Sequence, residues 1–250
     1  MTQTSRLICP GCGAPRPERG APCRACGSMD PTQVVEIGMA EEVDTALPMG
    51  LLAISGSPGD QTYRIQVLTH GGTRSDARLS DDTVTLSVSG ASDVGRRGEP
   101  DALNTLLAAL RAQGFGPTQS TANDDRGEDA VIGIGGARYT VQFITVPPYS
   151  RFWNRAARGI GKMAVGTESA LDWIRQAAMA KFQSTSPAER PRTVLALDAH
   201  HAGVLASKQI SIAYLSRYPD PHSEFGFAAT WLVGPDTSSS AQIGTASWNV

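Results

Sequence analysis

The four cysteines of the chain form two closely spaced pairs near the N-terminus. They occur as Cys-Pro-Gly-Cys-Gly and Cys-Arg-Ala-Cys-Gly, and ten residues separate the pairs. Two Cys-x-x-Cys turns can direct four thiolates toward one tetrahedral ion, and zinc is the ion that such sites usually hold. The sequence therefore predicts a small zinc ribbon over residues 1–30, with the ligands Cys9, Cys12, Cys23 and Cys26.

The predicted zinc is structural, because four thiolates leave no open coordination position for a reactive water. The segment between the cysteine pairs is rich in Pro and Arg and has no apolar core, so metal binding must supply most of its folding free energy. The ribbon is either a folding staple or a contact surface for nucleic acid or a protein partner. Three arginines favour the second role: Arg16, Arg19 and Arg24.

A predicted β-hairpin over residues 128–146 carries a second group of residues that could do chemistry. Two β-rich runs flank the turn Gly135-Gly136, where glycine adopts positive φ without a steric penalty. Asp129 stands at the start of the first strand, and Gln142 lies inside the otherwise apolar second strand. The amide either satisfies a hydrogen bond in the core or helps to bind a cation.

Two predicted helices flank this hairpin, and each carries one charged group at its end. A helix over 99–113 begins at Glu99, and a helix over 167–182 has Lys181 in its last turn. An acid at the N-terminus and a base at the C-terminus complement the helix dipole. Each charge therefore has a structural explanation beside a functional one.

Composition and charge limit the kind of protein that the chain can be. It has 250 residues, 40% hydrophobic and 18% charged, with a net charge of −2, which is typical of a globular protein without a global basic field. No apolar run approaches the roughly 20 residues needed to span a bilayer, and no signal peptide is visible. Clustered cysteines fit a reducing compartment, so we expect a cytoplasmic protein.

The rest of the chain predicts one α/β domain over 49–250, joined to the ribbon by a linker over 31–48. A buried strand at 192–198, a helix to about 217 and a strand at 226–233 imply a parallel pair. The expected fold class is α/β, with a mixed central sheet flanked by helices.

Two other clusters remain open to a functional or a structural interpretation. His200 and His201 follow Asp198 at the end of a predicted strand, where they could serve a hydrolase of a different class or simply form a βα turn. After the hairpin, aromatic residues alternate with arginines, which can either stack bases and pair with phosphates or pack the hairpin's exit. That second cluster comprises Tyr149, Arg151, Phe152, Trp153, Arg155 and Arg158.

The order of helix, hairpin, helix and strand over about 90–235 resembles the PD-(D/E)xK restriction-endonuclease-like superfamily. In this resemblance, Asp129 matches the motif's acid and Gln142 its variable acid-or-Gln position. Lys181 matches a lysine that has moved to the following helix, and Glu99 matches the acid of the first helix.

The resemblance implies a Mg²⁺-dependent nuclease that acts on DNA, in restriction or phage defence. Glu99, Asp129, Gln142 and the carbonyl of Phe143 would hold Mg²⁺, which binds a phosphate oxygen and lowers the pKa of a water. Lys181 would orient or deprotonate that water, or stabilise the charged phosphate.

Three departures from the motif support an alternative. Ile144 occupies the usual lysine position, Thr140 occupies the acid position in the other register, and Glu128 competes with Asp129. The alternative is a non-catalytic adaptor that binds nucleic acid or protein through a degenerate nuclease fold and the zinc ribbon.

The zinc prediction can be checked by metal analysis of the purified chain. We expect about one zinc per chain, since four thiolates complete one tetrahedral site. Replacing Cys9 and Cys12 by Ser should abolish zinc retention, whereas His200→Ala should leave it unchanged. Full zinc content in the double Cys variant would refute the assignment.

Overall fold

The computed structural model describes residues 5–8, 33–36, 50–55, 62–69, 72–80, 82–90, 94, 99–120 and 128–248. The chain divides into two units, residues 1–47 and 48–250. In the first unit, β1 (Ser5–Ile8) and β2 (Gln33–Glu36) pair as antiparallel strands. The predicted zinc ligands Cys9, Cys12, Cys23 and Cys26 lie outside the described residues.

The second unit contains two sheets, whose strands follow in chain order. They are β3 (Gly50–Ser55), β4 (Thr62–Leu68), β5 (Arg74–Ser80), β6 (Thr83–Ser89), β7 (Thr118–Ser120), β8 (Ala130–Ile134), β9 (Ala137–Thr145), β10 (Ile160–Gly166), β11 (Thr193–Asp198), β12 (Ala229–Val233) and β13 (Ala241–Ile243).

The helices of this unit are α1 (Glu99–Ala112), α2 (Ser150–Arg158), α3 (Thr167–Ser184), α4 (Lys208–Arg217) and α5 (Pro221–Phe225), with 3-10 helices at Arg190–Arg192 and His200–Ala206. Within the described ranges, no helix combines the length and the apolar character needed to cross a membrane.

The first sheet is antiparallel, with the order β10-β6-β5-β4-β3. The strands β4, β5 and β6 form a meander, and β10 joins β6 much later in the chain, with Ile160 opposite Ser89. Inward and outward residues alternate along β5 and β6, as expected for strands with one buried face. This sheet therefore closes one side of the core.

The second sheet is mixed, with the order β13-β12-β11-β9-β8-β7. Its central strands β9, β11 and β12 are parallel, and β7, β8 and β13 are antiparallel to their neighbours. Every residue of β11 and β12 is buried, which is typical of central parallel strands covered on both faces. The predicted mixed sheet and its parallel strand pair are confirmed.

The mixed sheet is covered differently on its two faces. The leucines of α1 pack on one face with Ile132 and Trp231. On the other face, α3, α4 and the 3-10 helix His200–Ala206 share a core with Leu195 and with the inward residues of the first sheet. These helices therefore fill the layer between the two sheets.

Three segments differ from what their residue types indicate. The glycines at 159 and 161 are typical of a loop, yet β10 begins at Ile160, and β5 forms from a run with few apolar residues. The Ser/Thr-rich segment 236–246 is typical of a surface tail, yet it contributes β13 with a fully buried Ile243. Beyond it, Trp248 packs edge-on against Tyr139, with ring centroids 5.1 Å apart.

We predict that Leu106→Ala destabilises the second unit by about 2–5 kcal/mol, because it leaves a cavity between α1 and the mixed sheet. The matched control is Asn104→Ala on the exposed face of the same helix, which should change stability by less than about 0.5 kcal/mol. Urea denaturation followed by Trp fluorescence measures both. Equal midpoints for the two variants would contradict the described packing of α1.

Candidate functional site

The β8–β9 hairpin places two of the predicted site residues opposite each other. The register pairs Ala130 with Val141, so continuing it by one residue sets position 129 opposite position 142. Tyr139, Val141 and Phe143 face the α1 side of the sheet. Because side chains alternate along a strand, Gln142 points to the opposite face, which α3 covers.

Asp129 lies against both the next strand and the end of α3. Its Oδ2 accepts a 2.7 Å hydrogen bond from the backbone N–H of Phe143 and lies 3.7 Å from Nζ of Lys181. The two charged side chains are 25% and 24% exposed, respectively. An ion pair this accessible to water stabilises the fold by no more than about 1 kcal/mol, so it does not by itself explain the arrangement.

Gln142 is hydrogen-bonded to the residue that ends α3. Its Oε1 accepts a 2.8 Å hydrogen bond from the hydroxyl of Thr185, whose backbone N–H donates to the carbonyl of Lys181. The amide therefore ties β9 to the C-terminus of α3. This contact is the structural role that the sequence left open, and it places Gln142 at the C-terminal end of the helix that carries Lys181.

The chain following α3 is held in place by Arg190. Its side chain donates to the carbonyls of Phe182 and Thr185, at 2.9 and 3.0 Å, and its guanidinium stacks 3.8 Å from the ring centroid of Phe182. These bonds satisfy carbonyls that a helix end leaves without partners. The position of Lys181 and Thr185 relative to the sheet is thereby fixed.

Glu99 is placed differently from the other predicted site residues. It begins α1, which packs on the face of the mixed sheet opposite to the one covered by α3. The structure thus brings Asp129, Gln142 and Lys181 to one face and puts the helix of Glu99 on the other.

Phe143 contributes backbone groups to the site. The bond from Val146 N–H to the Asp198 carbonyl shows that even-numbered residues at this end of β9 bond to β11. The backbone groups of Phe143 therefore point toward β8, and its N–H donates a hydrogen bond to the Asp129 carboxylate. Its carbonyl faces the same side, and its aromatic ring is buried.

An open cleft of about 370 Å³ adjoins Gln142. Glu128 is nearly buried at its edge, 3.2 Å from Nη2 of Arg138, and accepts a hydrogen bond from the Thr140 hydroxyl. Arg192 is exposed on the other side and pairs with no described acid. The lining residues are Glu128, Arg138, Thr140, Gln142, Ala188, Glu189, Arg192 and Thr193.

Sequence reasoning missed most of the residues that line this cleft, although one signal was available. Arg138, Thr140 and Gln142 stand two residues apart on β9, so they form one row on the same face. Arg192 enters the cleft from the start of β11, which pairs in parallel with β9 through Thr193 and Thr140. The contribution of Arg192 could not be read from residue spacing, because it depends on β11 lying next to β9 in the sheet.

The donor atoms near Asp129 are of the class that Mg²⁺ prefers. They are one carboxylate, one amide oxygen and one backbone carbonyl, all hard oxygen ligands. No described residue donates to Asp129 Oδ1. Because a hydroxyl can donate or accept, the Gln142 amide can turn over and donate to Thr185, which frees its oxygen. These atoms fit a magnesium ion that keeps several waters.

The same group is poor in negative charge. In the part of the chain that the structure describes, no three His, Cys, Asp or Glu side chains are grouped closely enough to hold a metal. Lys181 and Arg138 also offset the charges of Asp129 and Glu128. A cation would therefore depend on an anionic substrate for part of its binding.

Asp198 and His200 form a second polar cluster, buried at the carboxyl end of β11. Asp198 Oδ1 lies 2.7 Å from Nδ1 of His200 and accepts a 3.1 Å hydrogen bond from the backbone N–H of His200. The side chain of Asp198 is 8% exposed and that of His200 is 4% exposed. The 3-10 helix that carries His200 and His201 packs under the first sheet. The pair is therefore placed to stabilise the turn that follows β11.

The chain matches no protein-family model, no curated protein and no solved structure.

The Asp198–His200 pair predicts a dependence of stability on acid pH. Burial raises the pKa of the Asp198 carboxyl, but the charge and hydrogen bonds of His200 outweigh this, so the pKa lies below its ordinary value of 3.8. A lowered folded-state pKa stabilises the fold above pH 3.8, and this contribution is lost as the pH falls through the folded-state pKa.

We therefore expect Asp198→Asn to be less stable than the wild type above pH 3.8, with a difference that shrinks in stronger acid. Urea denaturation of the wild type and the variant at a series of acid pH values measures this difference in the free energy of unfolding. Asp82→Asn, an exposed acid, is the control and should show no such pH-dependent difference. A constant difference for Asp198→Asn at all pH values would contradict the assignment.

Proposed function

We propose that the second unit is a metal-dependent, nuclease-like hydrolase of nucleic-acid phosphodiester bonds, with DNA as the expected substrate. The observation that carries this proposal is the approach of Lys181 to Asp129 within 3.7 Å, on the face of the sheet where Gln142 lies. These residues come from a hairpin and the helix that follows it, in the order that suggested the restriction-endonuclease-like resemblance.

In the proposed site, Asp129, Gln142 and the Phe143 carbonyl hold Mg²⁺, which would supply Lewis acidity toward a phosphate oxygen. Lys181 lies next to the acid, where its ammonium can stabilise charge on the phosphate or orient a water. Arg192, which has no described acidic partner, can bind a neighbouring phosphate in the cleft. Glu99 has no part in this scheme, because its helix covers the other face.

A second candidate function is binding without cleavage, and a specific observation favours it. Each acid of the hairpin lies against a cation, Glu128 against Arg138 and Asp129 against Lys181. Such a cleft has little net charge of its own to attract a divalent ion, yet it retains an exposed guanidinium at Arg192. In this alternative, the second unit binds nucleic acid and does not cut it.

The zinc ribbon belongs to the proposal as a structural module. Its zinc, held by Cys9, Cys12, Cys23 and Cys26, would require the reducing conditions of the cytoplasm. We propose that it contacts nucleic acid or a protein partner and takes no part in the chemistry.

Cleavage by the full chain tests the proposal. Plasmid DNA, single-stranded DNA and RNA are incubated with the protein in Mg²⁺ or in EDTA. Asp129→Asn keeps the shape and the acceptor for Phe143 but loses the charge, so we expect cleavage to fall at least about 100-fold, since several kcal/mol of transition-state stabilisation are lost.

The matched control is Asp82→Asn, which makes the same chemical change at an exposed position and should cleave like the wild type. Lys181→Met should lower the rate, and Lys181→Arg should retain part of it because the charge is kept. No cleavage of any substrate by the wild type refutes the hydrolase. Binding that survives EDTA without cleavage establishes the second candidate.

A further inference from the structure

Helix α2 carries three arginines on one exposed face. Arg151, Arg155 and Arg158 stand at positions i, i+4 and i+7, so they fall within an arc of about 60° around the helix axis. All three are exposed. They form a row about 10 Å long, which we call the α2 arginine row.

Among the described residues, the row has no acidic partner. None of its arginines makes an ion pair or a hydrogen bond with another described side chain. The arginines at 64, 138, 175 and 217, in contrast, each pair with a carboxylate. Like charges at i and i+4 destabilise a helix by a few tenths of a kcal/mol. The basic face of α2 therefore slightly lowers the stability of the helix.

The opposite face of α2 holds the helix firmly in place. Phe152 and Ala156 are buried against β10, and the approach is so close that a Cβ on Gly161 would lie 3.1 Å from each of their side chains. Trp153 donates its indole N–H to the Pro147 carbonyl at 2.8 Å. The apolar face is therefore used inside the core, and the arginines cannot turn inward.

The strand beside α2 extends the exposed surface. β10 is an edge strand, bonded among the described strands to β6 alone. Ile160 and Lys162 are exposed on it, immediately after α2. Tyr149, just before α2, is 37% exposed, and its hydroxyl donates to the Gln176 side chain at 3.2 Å while its ring packs edge-on against Trp173.

We propose that the α2 arginine row binds the sugar-phosphate backbone of a nucleic acid without regard to sequence. Guanidinium groups pair well with phosphates, and a row about 10 Å long spans on the order of three phosphates along one strand. An anionic membrane is a poorer fit, because a membrane-binding helix inserts its apolar face, and in α2 that face is buried in the core. The inference does not require the Asp129 site to cut.

Binding of labelled double- and single-stranded DNA by the full chain, measured by fluorescence anisotropy over a range of salt, tests the row. The variant replaces Arg151, Arg155 and Arg158 by Gln. For duplex DNA, we expect the slope of log affinity against log salt to weaken by about 2.7, which is three contacts at about 0.9 each. Between about 50 and about 200 mM salt, the wild type should then lose about 40-fold more affinity than the variant.

The matched control replaces Arg74, Arg78 and Arg111 by Gln, three exposed arginines that also pair with no described acid. Both triple variants change the net charge from −2 to −5, since each removes three positive charges. The control should keep the wild-type slope. Circular dichroism and thermal melting verify that both variants are folded.

Binding is measured in EDTA, where no Mg²⁺-dependent cleavage can occur, which separates this inference from the proposed hydrolysis. Three outcomes overturn the assignment: no binding of DNA by the wild type, equal slopes for the wild type and the α2 variant, or an equal loss in the control. Capture of vesicles rich in anionic lipid by the wild type, without DNA binding, would reassign the row to a membrane surface and also overturn it.

Discussion

The structure of the second unit depends on the complete burial of β11. All six of its residues are buried, with β9 and β12 on either side and helices on both faces. A strand in this position needs partners for every backbone group, because an unpaired buried N–H or carbonyl costs free energy comparable to a lost hydrogen bond. Its start aligns β9 beside the cleft, and its end forces Asp198 into the core, where His200 compensates the charge.

The candidate site combines anchoring with chemistry in the same few side chains. Gln142 fastens α3 to β9 through Thr185, and Asp129 replaces a strand partner for the Phe143 N–H. Groups held in this way are positioned before any ligand arrives, which favours precise binding. The same groups already have partners within the protein. A ligand therefore has to compete with Lys181 for the Asp129 carboxylate and with Thr185 for the Gln142 amide oxygen.

The elements with a clear period were predictable from the sequence. The helices α1 and α3 follow the 3.6-residue spacing of Leu and Ala, and the β8–β9 hairpin follows its Gly-Gly turn. In β5, only Ala77 and Leu79 mark the inward face, so its period is weak. The strand β10 contains Gly161, which signals a loop in the sequence but permits the close approach of α2 in the fold.

The site was predictable only where sequence neighbours determine it. The hairpin register alone places position 129 opposite position 142. The approach of Lys181 to Asp129 and the separation of Glu99 depend on which face each helix covers. The entry of Arg192 into the cleft depends on the pairing of β11 with β9. Residue spacing carries no such information, because an amphipathic helix fits either face of a central sheet equally well.

The first sheet is completed by β10, which follows the β8–β9 hairpin of the second sheet in the chain, so the two sheets cannot form one after the other. The first sheet lacks its last strand until about seventy further residues have been made, so during synthesis β6 presents an unpaired edge. Contacts this distant in sequence form slowly, and an open edge in the interval can recruit other chains. A shorter protein ending before α1 would keep that edge permanently, and one beginning at α1 would carry β10 without its partner. The first sheet is therefore complete only in a chain that also contains the hairpin and α2.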